Sequence, residues 1–86
     1  MKYIILAFSS RNSIMSFSNF LHSNNIPTRI INTPHKISSS CSLSIKIDYS
    51  YLSSISSILK QRKPEGLIGL YVINEFSGYS QVSKII

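Results

Sequence analysis

Read as a string of apolar and polar positions, the chain opens on an unbroken apolar run, KYIILAFS, rich in β-forming residues. A run without alternation predicts a strand buried on both faces, and so a central one. Ser9 or Ser10 then offers an N-cap, and Ile14, Phe17 and Leu21 recur at helical steps with Met15 and Phe20 flanking them. This predicts a helix with one apolar face over about residues 11–23. Asn24 and Asn25 suit its C-terminal stop, and Pro27 blocks continuation. TRIIN, 28–32, is a short strand ended by Thr33-Pro34. In 43–49, Leu43, Ile45 and Ile47 alternate with Ser44, Lys46 and Asp48, the period of a strand with one wet face. Asp48 or Ser50 can cap a second helix whose stripe is Leu52, Ile55 and Ile58/Leu59, with Tyr51 alongside. KPEG, 63–66, is a turn, and LIGLYVI, 67–73, is a fourth strand apolar on both faces.

The resulting order is β-α-β-β-α-β. That pattern predicts an α+β domain of the ferredoxin-like, split βαβ type: a four-stranded antiparallel sheet with two helices on one face. The first and last strands fit the centre of the sheet; the short second and the alternating third suit outer positions. Residues 1–75 are expected to form this single domain. The C-terminal tail, 76–86, supports two readings. Phe76, Tyr79, Val82 and Ile86 recur at helical steps, whereas YSQVSKII also suits an extended segment. In either form its apolar residues need cover, from the domain or from a partner.

Composition narrows the class. With 86 residues, 43% hydrophobic and 14% charged, the chain has a modest core to build and is too apolar to be disordered. Nine Lys+Arg against three Asp+Glu give a net charge of +6, which suits an acidic partner or an anionic ligand. Only Lys60, Arg62 and Lys63 cluster, at a helix end where cations favour the dipole and face solvent. The five tyrosines, Tyr3, Tyr49, Tyr51, Tyr71 and Tyr79, form no RNP-type motif, so nucleic acid is not an expected partner. Nothing approaches the ~20 apolar residues of a membrane span, and the opening run is short for a signal peptide. A single cysteine makes no internal disulfide, so a cytoplasmic location is expected.

That cysteine lies in TPHKISSSCS, 33–42, the connection between the second and third strands. Ordinary hairpin loops take two to five residues, and longer ones tend to carry function. The nucleophilic form of cysteine is the thiolate, a minor species at neutral pH for an ordinary thiol near ~8.5. Lys36, and His35 when protonated, would favour the anion. So would the N–H groups around Ser38, Ser39, Ser40 and Cys41, if the loop curls into an anion-binding concavity. A Cys41–His35 dyad has no third orienting group in view. One Cys and two His fall short of a four-ligand zinc site. The opposing reading stays open: free cysteine usually fills space. Cys41 would then be incidental to a non-catalytic binding module that docks an anionic ligand or an acidic protein through its sheet or its loop.

The strand YIILAFSS, the helix containing SIM, and IINTPHKISSSCSLSIKI resemble the selenium/sulfur carrier protein-like family over about residues 3–73. The string that carries the likeness is Thr33-Pro34 with Ile37-Ser38-Ser39-Ser40-Cys41. It departs from the family pattern in having His35, with Lys36 beside it, where Arg follows the proline, and Ser42 where glycine follows the cysteine. The resemblance implies a carrier that holds sulfur or selenium as a persulfide or selenopersulfide on Cys41, with no other cofactor. Lys36, Ser38, Ser39 and Ser40 would hold the anionic chalcogen, and His35 would assist proton transfer. A donor enzyme such as a cysteine desulfurase would load it, and an acceptor enzyme would unload it. Such a protein is a non-turnover carrier; any catalysis would be sulfurtransferase-like persulfide transfer. A homodimer through a sheet edge or the tail stays open.

Overall fold

The unbroken apolar run becomes the middle of a sheet. In the computed structural model, which describes residues 1–37 and 43–86, Lys2–Phe8 is β1 and Arg11–Ser23 is α1. Arg29–Asn32 is β2, Leu43–Asp48 is β3, and a 3-10 turn at Tyr49–Tyr51 leads into α2, Leu52–Gln61. Leu67–Phe76 is β4 and Tyr79–Lys84 is β5. All pairings are antiparallel and the strand order is β2-β3-β1-β4-β5.

The expected four strands are therefore corrected to five among the described residues. β4 does not stop at Ile73 but runs on to Phe76, turns through Ser77 and Gly78, and pairs Phe76 with Tyr79. Gly78 sits at φ +93, a conformation that such a two-residue turn needs and that glycine adopts without penalty. The residues beyond β4 thus take the extended form, and β5 becomes an edge of the sheet opposite β2.

Local chemistry sets the helix ends. Ser10 Oγ accepts from Ser13 N at the start of α1, and Asn25 takes φ 62 just past its end. Asp48 accepts from Ser50 N and caps the 3-10 turn. The entry to β4 is tied to the start of α1, where Ser9 N donates to Gly66 O at 2.9 Å. A Cβ on Gly66 would sit 3.1 Å from Ser13 Oγ, and its φ of +82 disfavours any side chain.

Alternation along β1 divides the core in two. Ile4, Leu6 and Phe8 pack with Ile14, Phe17 and Leu21 of α1, Ile55 and Leu59 of α2, and Ile45, Ile47 and Leu70 of the neighbouring strands. Each such side chain contributes about 1.5–3 kcal/mol on burial. The opposite face holds a second cluster of Tyr3, Ile5, Ala7, Tyr71 and Ile73, with Ile31, Ile37 and Val82 against it. Ile5 and Ala7 have no exposed surface at all, although both helices lie on the other side.

Tyr3 closes one end of this second cluster. Its hydroxyl donates to Glu75 Oε1 at 2.5 Å. Burial, then that hydrogen bond and the charge of Glu75, push the phenol from 10.0 up to about 12. The neutral phenol is the form the fold favours, so this contribution is complete below pH 10. It is lost as pH rises from 10 through 12, because the unfolded chain ionises first. Thermal melts across that window should fall more steeply for the wild type than for Tyr3→Phe. The phenolate absorbance step near pH 12 should disappear in the variant; a step that persists would assign the raised group elsewhere.

Candidate functional site

The connection between β2 and β3 is anchored at its mouth by two hydroxyls. Thr33 and Ser44 lie 2.6 Å apart, oxygen to oxygen, both buried. Stranding either one without the other would cost about 1–3 kcal/mol, so the pair holds the two stems together. Ser44 pairs with Ala7 in the sheet, which puts the clasp on the face opposite the helices.

From Thr33 the chain bends onto that face. Ile37 N donates to Pro34 O at 3.0 Å, closing a turn with His35 and Lys36 at its centre. Ile37 packs against the second cluster. Lys36 Nζ donates to Ser80 Oγ of β5 at 2.6 Å. Because β2 and β5 are opposite edges, residues 33–37 lie across the sheet face rather than projecting from it. His35 is exposed at the turn.

Of the residues singled out from the sequence, the structure thus places Lys36 on Ser80 and His35 at the surface. Cys41, Ser38, Ser39 and Ser40 lie outside the described residues. The return stem begins at Leu43, which faces Phe8 across the β1–β3 ladder. Phe8 leads through Ser9 to the Ser10 cap, so the N-terminal end of α1 lies at the same end of the sheet as that stem. The N-terminal end of a helix carries partial positive charge.

Sequence reasoning missed two features. Ser80 gives no signal in a serine-rich chain, because its role depends on β5 being a strand. His22, Thr28 and Ser18 form a relay of hydrogen bonds, with His22 Nε2 2.7 Å from Thr28 Oγ1 and Thr28 Oγ1 2.9 Å from Ser18 Oγ. This relay fastens the last turn of α1 to the segment entering β2. Lys60, Arg62 and Lys63 are exposed as expected, with the Arg62 guanidinium 5.2 Å from the Phe20 ring centre. Among the described residues, no group of His, Cys, Asp or Glu is placed to hold a metal ion, and no helix is long and apolar enough to cross a membrane.

A family model described as "Putative Se/S carrier protein-like" matches residues 2–67. No curated protein and no solved structure matches the chain.

Proposed function

The chain belongs to the Se/S carrier protein-like family, and on that premise we propose that Cys41 carries a sulfur or selenium atom between two enzymes. The family match is the observation that carries this reading, since it spans β1 through the cysteine-bearing connection to the start of β4. The order β2-β3-β1-β4 of the first four strands supports a ferredoxin-like core with β5 added at its edge.

The chemistry is a thiol exchange without net oxidation. The Cys41 thiolate attacks the terminal sulfur of a persulfide on the donor. A bond forms between Cys41 Sγ and that sulfur, the donor's S–S bond breaks, and the donor leaves as a thiolate. The acceptor later attacks the same terminal atom and releases the Cys41 thiolate. A selenopersulfide passes selenium in the same way.

What supports the anionic form is the surroundings of the stems. Leu43, the described residue that follows the cysteine-bearing segment, lies at the sheet end where α1 begins. Lys36 has its ammonium on Ser80, which is level with the start of β1, the end of the sheet opposite Leu43. The Ser38, Ser39 and Ser40 N–H and hydroxyl groups are the donors this reading assigns to the terminal chalcogen, and the exposed His35 is the group assigned to move the proton.

The test is the alkylation rate of the thiol as a function of pH. A carrier thiol should react with a midpoint well below the ~8.5 of an ordinary cysteine. A midpoint at or above that value, or a thiol inert until the chain unfolds, would favour the competing reading of a binding module with an incidental cysteine.

A further inference from the structure

A second site lies at the other end of the same sheet face. Arg29 opens β2, and the β2–β3 register sets it directly opposite Lys46. Two like charges in that position repel across the ladder. Both line a cleft of about 330 Å³ whose walls include Tyr3, Pro27 and Thr28. The Lys46 ammonium lies 4.3 Å from the Tyr3 ring centre, and the Tyr3 hydroxyl is engaged by Glu75.

One carboxylate, Asp48, also lines the cleft. Its Oδ2 accepts from both the N–H and the hydroxyl of Ser50, at 3.0 and 2.5 Å. These bonds, the side-chain one first, hold the Asp48 carboxyl below its ordinary range. Among the charged side chains that line the cleft, Arg29 and Lys46 outnumber Asp48 and leave it positive, and the carboxylate is already occupied. The volume falls at the small end of ligand pockets, about 300–1,000 Å³.

We propose that this cleft binds a small organic anion, with its carboxylate or phosphate between Arg29 and Lys46 and a short apolar body against Tyr3 and Pro27. The bound anion turns the facing cations from a repelling pair into a two-sided clamp. The site is separate from the carrier cysteine: the connection bearing Cys41 leaves from Asn32, the opposite end of β2. Its ligand need not be the carried chalcogen.

The experiment is a backbone-amide NMR titration of the full chain with phenyl phosphate, benzoate, inorganic phosphate and benzyl alcohol. Phenyl phosphate and benzoate should shift Thr28, Arg29 and Lys46 saturably. Inorganic phosphate should do so more weakly, and neutral benzyl alcohol should leave these amides in place. Arg29→Gln and Lys46→Gln should each weaken phenyl phosphate binding by about tenfold or more. Lys84→Gln should not, since Lys84 lies over Tyr71 on the same face but outside the cleft. Without ligand at low salt, Arg29→Gln should melt above the wild type, because the repulsion is gone; melting no higher would remove the premise. Shifts spread over every cationic surface, or equal weakening in Lys84→Gln, would overturn the proposal. Should Lys46→Gln fail to fold, Arg29→Gln on the exposed edge strand decides alone. Cys41→Ala should bind phenyl phosphate as the wild type does, so the site stands or falls independently of the carrier reading.

Discussion

Incubated with a cysteine desulfurase and cysteine, the wild-type chain should gain the mass of one sulfur atom, and Cys41→Ala should gain none. The effect is all-or-none because the sequence holds a single thiol, and persulfide transfer needs a thiolate to form the new S–S bond. Intact-protein mass spectrometry reads it directly, and a reductant should return the loaded chain to its starting mass. A wild type that stays unmodified while the desulfurase turns over would end the carrier reading. Equal gain in the alanine variant would mean the added sulfur is adventitious. Lys36→Met is the informative second variant. If the Lys36–Ser80 contact matters by holding residues 33–37 on the sheet face, loading should slow and Ser80→Ala should slow it in parallel. If the charge alone matters, only the lysine variant should respond.

Ile5→Ala should destabilise the domain by about 2–5 kcal/mol, as much as Leu6→Ala at the next position. Against the roughly 5–15 kcal/mol of a typical domain, either loss is large. The comparison is pointed because the two residues face opposite ways: Leu6 toward the helices, Ile5 toward the second cluster. On a solvent-facing sheet surface the Ile5 substitution would be mild, within about 0.5 kcal/mol. Urea unfolding with an unchanged slope gives both values. A small loss at Ile5 beside a large one at Leu6 would show that the face opposite the helices lacks the cover that Ile37, Ile31 and Val82 give it.

That covered face also marks where the sequence stopped being legible. The apolar run at 2–9 and the stripes of both helices translated directly, because periodicity reports which faces are buried. α1 matched the predicted span of 11–23, and Ser10 proved to be its cap. The double-sided burial of β1 was readable, but not what would bury its second side. Ile37 looked like one residue of a chemically interesting loop, and its packing against the second cluster depends on the path of the chain after Thr33. β5 was ambiguous for a different reason. The spacing of Phe76, Tyr79, Val82 and Ile86 fits a helix, while YSQVSKII also suits an extended segment. The tie is broken by the Ser77-Gly78 dipeptide, a turn signal set between two extended segments. The opposition of Arg29 and Lys46 needed the strand register, which no local pattern supplies.

The place of β1 in the sheet bears on how the protein comes to be made. Its two ladder partners are Leu43–Asp48 and Leu67–Phe76, and neither adjoins it in the sequence. β1 precedes both partners in the chain, and its two ladders close only when β3 and β4 reach it from about 35 and 60 residues further on. Long-range pairings of this kind form slowly, and an exposed apolar strand is prone to aggregate meanwhile. Any state of the chain in which β3 and β4 are not yet docked therefore leaves both apolar faces and both edges of Lys2–Phe8 open at once.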